Sequence, residues 1–216
     1  MDKVKLRSIE SLKEESSRFV VPQRVTYEQN GVEKLWDMVQ SHDSVGAIIY
    51  NKTSKKLVFV SQFRPPVYVR ALTETSQQPL NELVKIAEKT SGSSGICLEL
   101  CMGIVDDNCL SPEETVKKEI LEETGFSVSS VEKIGTWIAS VGLTGGKTST
   151  FYAEVSEKDR VSSGGGCSDE GELIDVVEMS PSELKEYIDS SKTKPISTPT
   201  NVLLAYYWFM ANKFQK

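Results

Sequence analysis

The chain has 216 residues, 38% of them hydrophobic and 26% charged, and a formal net charge of −6, values that suit a globular domain with a sizeable core. The acidic balance excludes a general nucleic-acid binder, which presents a basic face, but leaves room for an anionic substrate wherever metal ions and a few arginines invert the field locally. No apolar run approaches a bilayer span, and "MDKVKLRSIESLKEE" carries no apolar signal-peptide region, so the sequence predicts a cytoplasmic protein with no membrane partner.

Residues 1–43 are polar and mixed, with a strand signal in "RFVVPQRVTYEQ" and Trp36 as an apolar anchor. They form an arm ahead of the main domain, 44–216. "SVGAIIYN" and "KLVFVSQF" read as a hairpin joined by the turn-like "KTSK". Between 70 and 95 the pattern weakens into "LTETSQQPLNELVKIAEKTSGSSG", which predicts a polar insertion with one short helix and a flexible end. "ICLELCMG" alternates as a strand, placing Cys97 and Cys101 on the same face. Their spacing and the lone His42 do not make a zinc site, so the thiols read as buried and reduced.

"SPEETVKKEILEETG" carries the strongest helix signal. Ser111 is the N-cap, Pro112 suits the first helical position, Glu114 completes a capping box and Gly125 stops the helix. "VEKIGTWIAS" and "TSTFYAEV" read as strands around the Gly-rich "VGLTGGK", and "SSGGGCSDEGE" leads into the strand "LIDVVEMS". "SPSELKEYI" repeats the start signal, and "TNVLLAYYWFMANKF", apolar on most sides, predicts a buried terminal helix. Tyr206, Tyr207 and Trp208 are therefore assigned to its core rather than to stacking on a base. Strands alternating with a few helices predict an α/β sandwich around a mixed sheet.

Glu119, Glu122 and Glu123 crowd one face of the strongest helix in its last turns, where the macrodipole disfavours negative charge. Two carboxylates about 4 Å apart repel by on the order of 4 kcal/mol at an effective dielectric near 20. Local helix stability gains nothing from this. A bound cation would compensate it, and a solvated acidic face is the alternative on these residues alone. The loop "GLTGGKTS" looks like a phosphate cradle, but Val141 occupies the place of its first glycine and a strand, not a helix, follows.

The stretch "GIVDDNCLSPEETVKKEILEETGF", Gly103 to Phe126, resembles the Nudix box, Gly-x5-Glu-x7-Arg-Glu-U-x-Glu-Glu-x-Gly-U. Glu119, Ile120, Glu122, Glu123, Gly125 and Phe126 match its second half position by position. One extra residue after Gly103 puts Leu110 at the first Glu of the box. Lys118 stands for the Arg, keeping the charge but losing the guanidinium fork. "SQFRPPV", "LELCMGIVDD", "VGLTGGKTSTFYAEV", "DEGELIDVV" and "YEQNGVEKLWDMVQSHDSV" extend the resemblance over nearly the whole chain. They are similar to the nucleoside diphosphate sugar hydrolases of that superfamily, in particular the animal UDP-glucose pyrophosphatase subgroup.

The resemblance implies a Nudix α/β/α sandwich with an N-terminal arm that pairs in a homodimer. It implies hydrolysis of UDP-glucose or a related nucleotide sugar to UMP and a sugar 1-phosphate, with ADP-ribose or ADP-sugar cleavage, or an inactive nucleotide sensor, as alternatives. Magnesium, or manganese, would be held by Glu119, Glu122, Glu123 and the backbone carbonyl of Met102. Glu170 would be the general base, with Glu172 second, on a loop whose three glycines supply hinge freedom. Arg64, Glu99, Gly103 and Thr144 would bind substrate.

Overall fold

Alternation along the central strands decides the layering. A computed structural model describes residues 3–9, 17, 20–76, 78–105 and 110–214, without the side chains of Leu80, Asn81 and Glu170. β3 (Ser44–Asn51) and β4 (Lys56–Phe63) form the expected hairpin, with Ile49 opposite Val58. Val45, Ala47 and Ile49 of β3 and Val58 and Val60 of β4 face one side of the sheet. Ile48, Leu57 and Phe59 face the other, as a period of two requires. The first side is buried under α3 (Pro112–Thr124) through Val116 and Ile120, the second under α4 (Pro181–Ser190) and α5 (Thr200–Asn212) through Leu184, Val202 and Phe209. Each such side chain contributes roughly 1.5–3 kcal/mol by leaving water. The α/β/α sandwich expected from the sequence is the result.

Among the described residues the sheet has seven strands. Its path runs β5 (Ile96–Glu99), β4, β3, β8 (Lys147–Val155), β7 (Glu132–Ile138), with β6 (Cys101–Ile104) paired to β3 and β9 (Ile174–Met179) to β4. Only β3 and β8 run parallel, so the sheet is mixed. "ICLELCMG", read as one strand, is two. β3 and β4 pair only over Ile49–Asn51 and Lys56–Val58 and then diverge, so the ribbon bonds first to β4 and, past the buried Leu100, to β3. Alternation survives the switch. Leu98, Leu100 and Met102 face α4 and α5, and Cys101 faces α3. Cys97 and Cys101 are buried free thiols, as expected, and Cys109 lies outside the described residues.

Three other expectations are corrected. The segment 70–95 holds not one short helix with a flexible end but the rest of α1 (Pro65–Ser76), α2 (Leu80–Ala87) and a 3-10 turn, Gly92–Gly95. Tyr68 and Leu72 meet Leu83 and Ala87 in a third apolar cluster, each pair four apart on its helix, and Val4, Leu6 and Ile9 cover it. The arm is a hairpin of β1 (Val21–Gln29) and β2 (Val32–Gln40) in unbroken register. Asn30 and Gly31 between them both have positive φ, the Asn-Gly signal that would have revealed the second strand. α5 buries only the face of Val202, Ala205, Tyr206 and Phe209, while Leu203, Leu204 and Tyr207 are exposed, because it forms the outermost layer. Among the described residues no helix is long and apolar enough to cross a membrane.

Candidate active site

The C-terminal end of α3 carries the acidic face, and its backbone accounts in full. The last four carbonyls of a helix have no partner within it. Here Leu121 O accepts from Gly125 N at 3.0 Å, Glu122 O from Gly166 N at 3.0 Å and Glu123 O from Gly165 N at 2.9 Å. Thr124 O accepts from Arg160 Nη1 at 3.4 Å, and the Arg160 guanidinium lies 4.1 Å from the centre of the Phe126 ring. Donors and a cation thus meet the negative end of the dipole, which is how this helix tolerates glutamates in its last turns. Arg160 had no sequence signal, because it joins the helix end only through tertiary structure.

β6 runs beneath the acidic face. A Cβ on Gly103 would lie 2.2 Å from Glu119 Oε1, so glycine at this position is what lets the Glu119 carboxylate rest on the strand. Glu123 is 2% exposed. Its Oε2 accepts from the Met102 N–H at 3.1 Å, and the Cys101 thiol also donates to it. Burial pushes the Glu123 carboxyl up to about 8; the Cys101 thiol and the Met102 N–H oppose this, while the Glu119 charge adds to it. Burial also raises the Cys101 thiol well above its ordinary value, and the Glu123 charge reinforces the effect. Glu122 turns instead to Lys118, whose Nζ lies 3.0 Å from its Oε2. Lysine at the arginine position of the box therefore still braces an acidic residue, through an ammonium rather than a planar fork. Leu110, at the first glutamate position of the box, is exposed just ahead of the Ser111 cap.

Of the three glutamates expected to act together, Glu119 and Glu123 reach β6 and Glu122 pairs along its own helix. Among the described residues no three carboxylate, imidazole or thiol groups form a ready-made cage. The donors nonetheless suit a hard divalent cation. They are carboxylate oxygens beside a strand backbone, and burial disfavours the charged form of the most buried of them, which a cation would compensate.

Arg64 and Glu99, expected separately as substrate groups, are one bidentate pair. Nε donates to Oε1 at 2.8 Å and Nη2 to Oε2 at 2.7 Å. Glu99 is buried and Arg64 half-exposed, so the carboxylate holds the guanidinium by its inner edge. The hydrogen bond to Glu99 raises the Arg64 guanidinium above its ordinary value, and Glu99 ends β5 just ahead of β6, the strand beneath the acidic face.

Glu172 Oε2 accepts from Cys167 N at 2.8 Å, and the Glu172 charge reaches both Glu123 and Cys101. Glu170 closes the 3-10 turn Ser168–Glu170, with its side chain outside the described part. The glycines before this turn, expected to supply hinge freedom, are tied in the structure to the end of α3 through the N–H groups of Gly165 and Gly166. Gly164, Gly165 and Gly166 have φ of +67°, +115° and +84° and lie against the end of α3; a Cβ on Gly164 would come 2.4 Å from Glu123 O. Glycine serves close approach at 164 and 166 and a positive φ at 165. Thr144 Oγ1 accepts from Gly146 N within its own loop. That loop is tied to the arm by Trp36 Nε1 donating to Gly142 O and Val39 N donating to Leu143 O, both at 2.9 Å. Lys147 opens β8 rather than a helix, which disposes of the phosphate-cradle reading.

The carboxylate pair, its capped helix and the seven-stranded sheet lie within the stretch that the NUDIX domain model matches, residues 40–198, and the chain belongs to that family. Over a longer span it is similar to the uridine diphosphate glucose pyrophosphatase NUDT14 of Mus musculus, with 36% identity over 205 residues covering 90% of each chain. The enzyme of that name from Bos taurus is 34% identical over 205 residues, 91% of this chain and 90% of the relative. A GDP-mannose pyrophosphatase of Pectobacterium atrosepticum is 32% identical over 163 residues, 76% of this chain and 72% of the relative.

Proposed function

We propose that the chain hydrolyses the pyrophosphate bond of UDP-glucose or a related nucleotide sugar, giving UMP and a sugar 1-phosphate. The observation that carries this reading is the pair Glu119 and buried Glu123 over β6, with the bidentate Arg64–Glu99 pair held at the end of β5, the strand that leads into β6. Carboxylates for a cation, and a guanidinium for an anion held by Glu99 three residues before Met102, fit a metal-bound diphosphate. Glu119, Glu122, Glu123 and the Met102 carbonyl would hold magnesium, or manganese in its place, which would supply neutralisation of phosphate charge and activation of water. Arg64, with Nε and Nη2 held by Glu99, offers its outer edge to a phosphate oxygen. Gly103 floors the site, and Thr144, on the loop that the arm holds, would bind substrate. Glu170 takes the proton of the attacking water, and Glu172 supports the same turn. The test is a panel of UDP-glucose, GDP-mannose and ADP-ribose with magnesium, products identified by mass. UMP and glucose 1-phosphate are expected. Preferential cleavage of ADP-ribose would move the substrate, and no cleavage of any would overturn the reading.

The protein acts as a cytoplasmic homodimer in this reading. Support comes from the buried reduced thiols and from the arm, whose Val21, Val25, Tyr27 and Trp36 share one exposed face. Val21→Glu with Val25→Glu should give monomers in sedimentation at micromolar concentration. This pair is cleaner than deleting residues 1–40, which would also strip Val4, Leu6 and Ile9 from the third cluster. A wild-type chain that sediments as a monomer would refute the dimer.

A further inference from the structure

We infer that the segment Arg160–Gly166 is a positioning strap that sets the distance between the box helix and the acidic turn 167–172. The strap binds the backbone of the acidic residues themselves: Gly166 N–H donates to Glu122 O and Gly165 N–H to Glu123 O. Upstream, Arg160 pairs with Glu157 at 2.9 Å and Glu178 at 2.8 Å, stacks on Phe126 and donates to Thr124 O. Val161 N donates to Gly125 O at 2.9 Å, completing the attachment. Downstream, Gly165 O accepts from Ile174 N at 3.2 Å, which pins the strap to β9. The turn that carries Glu170 and Glu172 is enclosed between these two anchors.

Three consecutive residues at positive φ make the contact possible. A Cβ on Gly166 would lie 2.7 Å from Glu172 Cβ and Oε2, whereas one on Gly165 would meet only Ile174 O, at 3.7 Å. A side chain at 166 therefore displaces the acidic turn, and a side chain at 165 adds backbone strain at φ +115° with little displacement.

This inference rests on the proposed hydrolase reading, and the experiment separates the two. Wild type, Gly166→Ala, Gly165→Ala and, as a strain-only control, Gly31→Ala (φ +77° in open space) are assayed well below their melting temperatures. Gly166→Ala should lose at least tenfold in kcat with KM within twofold and an unchanged magnesium midpoint by calorimetry without substrate. Gly31→Ala should keep its kcat, and Gly165→Ala should fall between. In wild type, the Gly165 and Gly166 amides should resist hydrogen exchange as strongly as the core of α3. A folded Gly166→Ala with wild-type kcat, or unprotected amides at 165 and 166, would overturn the strap. If Gly166→Ala does not fold, Gly165→Ala and the amide protection decide the matter. Wild type inactive on every nucleotide sugar would overturn the hydrolase reading instead, while the exchange data still judge the strap.

Discussion

Glu123→Gln should lower turnover on the order of a hundred- to a thousandfold and leave the protein folded. The carboxylate is buried over β6 and accepts from the Met102 N–H. A carboxamide oxygen can still take that hydrogen bond, and the substitution removes a charge that burial disfavours. Stability should therefore change by no more than about 1–2 kcal/mol. What is lost is a negative oxygen for the cation on which the charge of the reacting phosphates depends. Glu119→Gln, on the Gly103 floor, should behave alike. Turnover by either variant near the wild-type rate in saturating magnesium, with an unchanged melting curve, would remove these residues from the metal site. A collapsed fold would instead show that Glu123 serves mainly to brace β6.

The second large effect concerns the acidic turn. Glu170→Gln should lower kcat by roughly a hundredfold or more, with little change in magnesium affinity, because a general base acts on the proton in flight and not on the bound ion. Glu172→Gln should be milder. Its carboxylate accepts from Cys167 N, and an amide oxygen preserves that bond and the shape of the turn. The opposite ranking, with Glu172→Gln crippled and Glu170→Gln normal, would exchange their roles. Retained activity in both would send the search to Glu122, which the structure holds at Lys118 rather than over β6.

The three glutamates were legible from the sequence because α3 is specified locally. Its capping box, Pro112 and Gly125 are signals within four residues of each helix end, and the observed caps match them. Which glutamate is buried was not legible. That choice belongs to β6, whose glycine admits Glu119 and whose Met102 N–H draws in Glu123. Arg64 and Glu99 were each picked out as substrate groups, yet their pairing depends on β4 and β5 lying side by side, 35 residues apart in the chain.

The glycines at 164–166 show the same division. Their sequence permits positive φ, and it permits a hinge and a rigid close contact equally. Only the end of α3, packed against them, decided for contact.

By itself, then, the sequence determined the elements whose signals are local and periodic: the hairpin of β3 and β4, the capped α3, the α4 start, and with them the sandwich and the family. Tertiary structure alone decided the two helices in 65–87, where a few apolar residues suffice once Val4, Leu6 and Ile9 cover them. It also decided the strand switch at Leu100, because β3 and β4 diverge, and the full capping of α3 by Arg160 and two distant glycine amides. Local chemistry fixes what a segment is able to become; contacts made across the chain select which buried charge, pair or turn it becomes, since desolvation and partner geometry exist only in the folded state.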